Sequence, residues 1–111
     1  MQITQTQVGA VTVLRPEGPL KGTAADEFQG RAAEVLKGSL GRCVVDASAI
    51  QFVDSRGLEV LAGLNDAMNQ TGHALRLCGA NETLRQVLEL TDLAPQFEQY
   101  ADVNAAVRSF L

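Results

Sequence analysis

Hydrophobic residues along this chain follow the two spacings that distinguish strands from helices. Residues 3–8 are rich in β-branched side chains separated by glutamine, which predicts an edge strand. A turn at Gly9 leads to an apolar run over 11–14, which predicts the hairpin partner of that strand. Pro16 and Gly18-Pro19 are expected to end the second strand.

The next segment has apolar residues three or four positions apart, as is typical of an amphipathic helix. We expect Thr23 to cap its N-terminus, and Gly38 and Gly41 to stop it. The predicted core face of this helix consists of Ala25, Phe28, Ala32, Val35 and Leu36.

Strands and helices alternate through the rest of the chain. An apolar strand over 42–46 passes through a short loop into a helix over about 56–70. The predicted core stripe of that helix is Leu58, Leu61, Leu64 and Met68. The later elements are a strand over 74–79, a helix capped by Asn81, an edge strand within 96–100, and a last helix over 103–110 capped by Asp102.

This order of elements predicts an α/β fold. The opening hairpin gives one antiparallel strand pair, and the helices between the later strands imply right-handed crossovers and parallel pairing. The expected structure is a mixed sheet packed with about four helices. A length of 111 residues suits a single domain over 1–111, which would bury roughly 65% of its unfolded surface.

The charge balance narrows the classes of partner. Nine basic and 13 acidic residues give a net charge of −4, and the basic residues form no cluster in the sequence. We therefore expect no binding to nucleic acid or to an anionic membrane surface. No apolar run reaches the roughly 18 residues of a membrane span, so we expect no membrane insertion and a cytoplasmic location.

Two cysteines, Cys43 and Cys78, lie in apolar strand-like runs. They could be neighbours on two parallel strands, which leaves a disulfide open, but a reduced pair is the interpretation that a cytosolic protein favours. The sequence has no Cys-x-x-Cys and no cluster with metal-ligand spacing. We expect neither a metal nor another cofactor.

The junction Asp54-Ser55-x-Gly57 places a hydroxyl where a strand and loop give way to a helix. Asp54 or Ser55 can cap the helix, and the serine can instead act as a nucleophile or accept a phosphate. A nucleophile needs a base, and the only histidine, His73, lies in a predicted turn. We therefore expect no enzyme, and the cap and the phosphorylation site remain the two interpretations of Ser55.

The run Ile50–Leu58, after Val44-Val45-Asp46, resembles the signature of STAS domains, and more narrowly that of bacterial anti-sigma factor antagonists. The early Gly18-Pro19-Leu20 turn and residues 81–93 extend the resemblance over nearly the whole chain. It implies a STAS-like fold in which Ser55 is phosphorylated by an anti-sigma factor that is also a serine kinase. The unphosphorylated form would bind that factor and release sigma, and a phosphatase would be a further partner.

Two positions differ from the family pattern. Arg56 stands where a second serine is common, and Lys21 replaces an aspartate of the turn that is associated with engaging the kinase. These differences support an alternative, a STAS domain that binds without being switched. Such a domain would be a subunit of a stress-signalling scaffold or of an ABC-type lipid transporter.

A partner surface is predicted beside Ser55. Val60, Gly63 and Ala67 form a line of small residues that either packs under a neighbouring element or leaves a smooth face for docking, with Arg56 as a polar anchor. Asp54 would fix the loop, and Gly57 would permit close approach of the partner. The predicted partner-binding residues are Lys21, Thr23, Asp54, Ser55, Arg56, Gly57, Glu59, Val60 and Gly63. We expect a monomer or a weak dimer.

Overall fold

The computed structural model describes residues 1–39 and 41–111. Its strands are β1 (Gln2–Val8), β2 (Val11–Glu17), β3 (Cys43–Asp46), β4 (Arg76–Cys78) and β5 (Glu98–Tyr100). Its helices are α1 (Gly22–Ser39), α2 (Ser55–Asn69), α3 (Glu82–Leu90) and α4 (Val103–Arg108), with one 3-10 turn at Ala94–Gln96.

The strands form one five-stranded sheet in the order β1-β2-β3-β4-β5. The β1–β2 pair is antiparallel, and each later pair is parallel. The predicted mixed α/β sheet with four helices is therefore confirmed. It follows from the chain itself, since a turn joins the first two strands and a helix lies in every later connection.

The second strand ends directly before Gly18, as one part of the prediction has it, but Pro16 does not end it. β2 continues to Glu17, and Pro16 pairs with Ile3 of β1. The β2–β3 register covers only Thr12 to Leu14, so at Pro16 the strand has a single neighbour. A proline lacks the N–H that a second neighbour would need, and it is tolerated at such a position.

The sheet separates two apolar clusters. On one face, side chains of α1, α2 and α3, including Phe28, Leu61 and Leu84, pack over Leu14 and Leu77. On the other face α4 covers a smaller cluster formed by Val11, Val13, Val44, Cys78 and Ala106. The junction over residues 54–57 therefore lies on the side of the sheet that carries three helices.

Two helix details differ from the sequence prediction. α1 begins at Gly22, so Thr23 is its second residue and not its cap. Val60 of α2 is fully buried, whereas Leu58 is only partly buried. The buried stripe runs through positions 57, 60, 61, 64, 65 and 68, which is the spacing of one helix face. Val60 therefore belongs to the core and cannot line an exposed partner surface.

The two cysteines lie on opposite faces of the sheet. Asp46 is in register with Cys78, and Cys43 lies three residues before Asp46, so its side chain projects to the other face. Cys43 belongs to the three-helix cluster and Cys78 to the α4 cluster, and both are free thiols. The pairing that the sequence left open does not occur in this structure.

Candidate functional site

Asp54 joins the starts of two helices. It is the N-cap of α2, with its Oδ1 accepting from the Gly57 N–H at 2.8 Å. Its Oδ2 accepts from the N–H of Gly22, the first residue of α1, at 3.1 Å. These hydrogen bonds stabilise the carboxylate and hold its pKa below the ordinary value of 3.8. The prediction that Asp54 or Ser55 caps this helix is resolved in favour of Asp54.

The loop before α2 is also fastened to the segment before α1. The Leu20 N–H donates to the carbonyl of Phe52 at 2.9 Å, and the Leu20 carbonyl accepts from the Asp54 N–H at 3.4 Å. Leu20 and Val53 form an isolated parallel bridge. The loop is therefore held by backbone bonds as well as by the Asp54 carboxylate.

Gly57 allows this close approach. A Cβ added there would lie 2.2 Å from the Leu20 carbonyl oxygen, much nearer than packed atoms approach each other. Gly57 is buried, so it cannot present its backbone to a partner. The close approach that the sequence assigned to a partner is made by the chain's own Leu20, and the predicted role of Gly57 is corrected accordingly.

Ser55 is the first residue of α2 and is exposed. Since Asp54 supplies the cap, the Ser55 hydroxyl is not the capping group. Free N–H groups of the first turn and the positive end of the helix dipole favour negative charge there. Ser55 thus lies where a phosphate would be exposed and electrostatically tolerated.

His73 is far from Ser55. It follows the C-terminal end of α2, where its ring meets the edge of Phe110 with centroids 5.3 Å apart. A helix of 15 residues is about 22 Å long, so the two side chains belong to opposite ends of it. A serine nucleophile activated by this histidine is excluded by distance.

Arg56 makes three side-chain hydrogen bonds, two of which connect α2 to α1. Its Nε donates to Asp26 Oδ1 at 2.6 Å, and its two terminal nitrogens donate to Gln29 Oε1 at 3.0 Å and Glu59 Oε2 at 3.2 Å. The bonds to Asp26 and Glu59 raise the pKa of the guanidinium. We call these four side chains the Arg56 clasp. Arg56 was predicted as a polar anchor for a partner; it is engaged within the chain, and its contact with a partner stays a prediction.

Sequence reasoning missed Asp26 and Gln29. Glu59 lies three residues after Arg56 on the same helix, a spacing that indicates a pair. Asp26 and Gln29 are 30 and 27 residues away, and only the packing of α1 against α2 brings them near.

Lys21 and Phe52 form a second exposed contact at the junction. The Lys21 ammonium lies 5.5 Å from the centroid of the Phe52 ring, within the range of a cation–π interaction. The Phe52 side chain is 41% exposed. Phe52 was absent from the predicted site, although an aromatic residue three positions before Ser55 was a signal that the sequence offered.

A groove separates α1 from α2 beyond the Arg56 clasp. Its volume is about 440 Å³, and its lining includes Gln29, Ala33 and Leu36 of α1 and Gly63 and Ala67 of α2. Gly63 and Ala67 are exposed, and a Cβ at Gly63 would meet no atom within 4 Å. The predicted small-residue surface is therefore an open groove formed by Gly63 and Ala67 without Val60.

The predicted site residues occupy several separate environments. Lys21, Asp54 and Ser55 lie at the junction, and Arg56 and Glu59 lie beside it in the clasp. Gly63 lines the groove, whereas Gly57 and Val60 are buried. Thr23 is exposed in the first turn of α1.

Two absences apply to residues 1–39 and 41–111. Within them, no group of three or more histidine, cysteine, aspartate or glutamate side chains could hold a metal ion. No helix in the same stretches is long and apolar enough to cross a bilayer.

Comparison with known sequences points to one family. The model of the STAS domain family matches residues 2–106. An anti-sigma F factor antagonist from Paenibacillus polymyxa is 26% identical over 94 residues, which cover 84% of this chain and 80% of that protein.

Solved structures share the fold. A candidate anti-sigma factor antagonist from Thermotoga maritima has a TM-score of 0.88 and 23% identity, covering 96% of this chain and 92% of its own. The Bacillus cell fate determinant SpoIIAA in its phosphorylated form has a TM-score of 0.74 and 18% identity, covering 97% and 99%. At such identities the likeness establishes the fold alone.

Proposed function

This chain belongs to the STAS domain family, and from that premise we propose that it is an anti-sigma factor antagonist switched by phosphorylation of Ser55. The observation that carries the proposal is the placement of Ser55, exposed at the first position of α2 while Asp54 supplies the cap. A hydroxyl with no capping role at such a position can be modified without unfolding the helix. The antagonist from Paenibacillus polymyxa supports the same function.

The proposed partner is a cytoplasmic anti-sigma factor that is also a serine kinase, with a phosphatase that reverses the modification. The protein acts as a binding module and not as an enzyme. In the unphosphorylated form the partner docks on the exposed junction around Lys21, Phe52 and Ser55 and along the groove that Gly63 lines. Sequestering the anti-sigma factor frees the sigma factor.

Phosphorylation would act through charge at this surface. The junction and the clasp carry three carboxylates (Asp26, Asp54 and Glu59) and two cations (Lys21 and Arg56), a local balance of −1. A phosphate adds about −1.5 to −2 charges. A partner that accommodates the unmodified surface then meets repulsion and an extra cost of desolvation, and each 1.4 kcal/mol of that cost weakens binding about tenfold.

The test is an intact-mass measurement after incubation with the cognate kinase and ATP. We expect one phosphate adduct on the wild-type chain and none on Ser55→Ala. Ser48→Ala, which removes another exposed serine, should still be modified and serves as the matched control. An adduct that persists in Ser55→Ala, or that never forms on the wild type, contradicts the phosphorylation proposal.

A second function is favoured by the contacts of Lys21 and Arg56. Both residues differ from the family pattern, and both are engaged within the chain, by Phe52 and by the clasp. Under this alternative the protein binds constitutively, as a subunit of a stress-signalling scaffold or of an ABC-type lipid transporter. A pulldown from native lysate discriminates: a transporter ATPase without a serine kinase supports the alternative, and the kinase supports the switch.

A further inference from the structure

The Arg56 clasp is held beside the proposed phosphorylation site. Ser55 and Glu59 are four residues apart on α2, so their side chains are neighbours on one face of the helix. The Arg56 guanidinium donates to Glu59 at 3.2 Å, and Glu59 lies about one helical turn from Ser55 along α2. The same guanidinium contacts Asp26 and Gln29 of α1.

We propose that Arg56 binds the phosphate on Ser55 and gives up its hydrogen bonds to Asp26 and Gln29. Phosphorylation would then remove these contacts between α1 and α2 at the partner-facing surface. This inference rests on the proposed function, since it concerns the phosphorylated form of the same site. Arg56 is a positioning residue in this account, because it changes the surface and takes no part in phosphoryl transfer.

Exposure and charge favour the exchange of Asp26 and Gln29 for the phosphate as partners of Arg56. The side chains of Arg56 and Asp26 are 39% and 54% exposed, so water screens their present ion pair. A phosphate carries up to two charges and three acceptor oxygens, and arginine binds it with two parallel hydrogen bonds. The phosphate would also repel the Glu59 carboxylate one turn below. A guanidinium placed between these two anions relieves that repulsion, and this position takes it away from α1.

The exchange would alter the surface and leave the fold intact. Asp54 still bonds to Gly22 and Gly57, so the starts of α1 and α2 remain joined. Asp26 becomes an unpaired carboxylate, and Gln29, which also lines the groove between the helices, becomes free to turn. A partner on this surface therefore meets a second acidic group and a changed groove in addition to the phosphate.

The experiment uses the full chain with phosphoserine installed at position 55 by genetic encoding, so it needs no kinase. The first readout is the second pKa of the phosphate, followed by phosphorus NMR against pH. A nearby guanidinium favours the dianion, so we expect Arg56→Gln to raise this pKa by about 0.5 units or more. Arg108→Gln, which removes an exposed arginine of α4 on the opposite face of the sheet, should leave it unchanged.

The second readout is the nitrogen-15 NMR signal of the Gln29 side-chain amide. We expect phosphorylation to move it toward the position that it has in unphosphorylated Arg56→Gln, where the clasp is already open. If the second pKa of the phosphate is the same in Arg56→Gln as in the wild type, the proposal is wrong. A shifted pKa with an unmoved Gln29 signal also contradicts it, because Arg56 would then bind the phosphate and still keep its hydrogen bonds to α1. Failure of a kinase to modify Ser55 would count against the proposed function alone.

Discussion

Asp54 is the residue at which the starts of α1 and α2 meet. Its charge should make the stability of the fold depend on pH in the acid range. Its pKa in the folded protein is depressed by the N–H groups of Gly57 and Gly22. A depressed pKa means that the carboxylate stabilises the fold above its ordinary pKa of 3.8, and that this stabilisation is lost as the pH falls through the lower folded value.

Asp54→Asn should lower the melting temperature at pH 7 and flatten the acid limb of the stability curve. The amide keeps one acceptor oxygen for the cap, but its NH2 group opposes the Gly22 N–H. Thermal melts from pH 7 to pH 2 give the measurement, and the curves of variant and wild type should converge at the acid end. Asp66→Asn, at an exposed position of the same helix, is the control. A constant gap at every pH would show that the Asp54 charge is not the cause.

Ser55 should affect recognition more than folding. Negative charge at an exposed helix N-terminus is favoured by about 0.3–1 kcal/mol. Repulsion from neighbouring Asp54 is of similar size in a high-dielectric setting, so the two effects nearly cancel.

We expect Ser55→Asp to change the free energy of unfolding by less than about 1 kcal/mol while weakening partner binding about tenfold or more. Thermal melts and titration calorimetry measure the two effects. Asn104→Asp adds the same charge in the first turn of α4, on the opposite face of the sheet, and should leave binding unchanged. A large melting shift, or binding equal to the wild type, would place the switch elsewhere.

Within α2, two glycines six residues apart have opposite surroundings. Gly57 faces the Leu20 carbonyl oxygen, and Gly63 faces open space. Adding the same methyl group at each position therefore separates the effect of packing from that of helix propensity.

Gly57→Ala should lower the free energy of unfolding by about 1–3 kcal/mol, because the clash is with backbone and can be relieved only by shifting the loop. Gly63→Ala should leave it unchanged or raise it by up to about 1 kcal/mol, since alanine is the better helix former. Urea titration measures both. Equal effects of the two substitutions would mean that the contact between Gly57 and Leu20 does not constrain the site.

Across the whole molecule, the sheet isolates Cys43 from Cys78, and burial raises the pKa of each thiol to about 12. At pH 8 a pKa of that size leaves on the order of one thiol in ten thousand ionised. Only the thiolate reacts with alkylating reagents.

Iodoacetamide should therefore label neither cysteine in the folded protein and both after unfolding in guanidinium. Mild oxidation of the folded protein should form no disulfide within the chain, because the side chains project from opposite faces of the sheet. Intact-mass analysis distinguishes these products. Rapid labelling of one cysteine under native conditions would show that its cluster opens to solvent.

The sequence alone determined the order of the elements and the mixed sheet, and it narrowed the cap of α2 to Asp54 or Ser55. These features depend on neighbours along the chain. They are the spacing of apolar residues, the turn at Gly9, and an aspartate whose carboxylate accepts a hydrogen bond from the N–H of Gly57, three residues later. The short edge strand β5 was predicted for the same reason.

Only the tertiary structure decided which side of each element is buried and which distant groups meet. A spread of leucine and valine around α2 fits more than one stripe, so the burial of Val60 depended on how the helix lies on the sheet. The contact of Gly57 with Leu20 and the bonds from Arg56 to Asp26 and Gln29 join residues far apart in sequence. Local periodicity carries no information about such contacts, because they arise when separate elements pack.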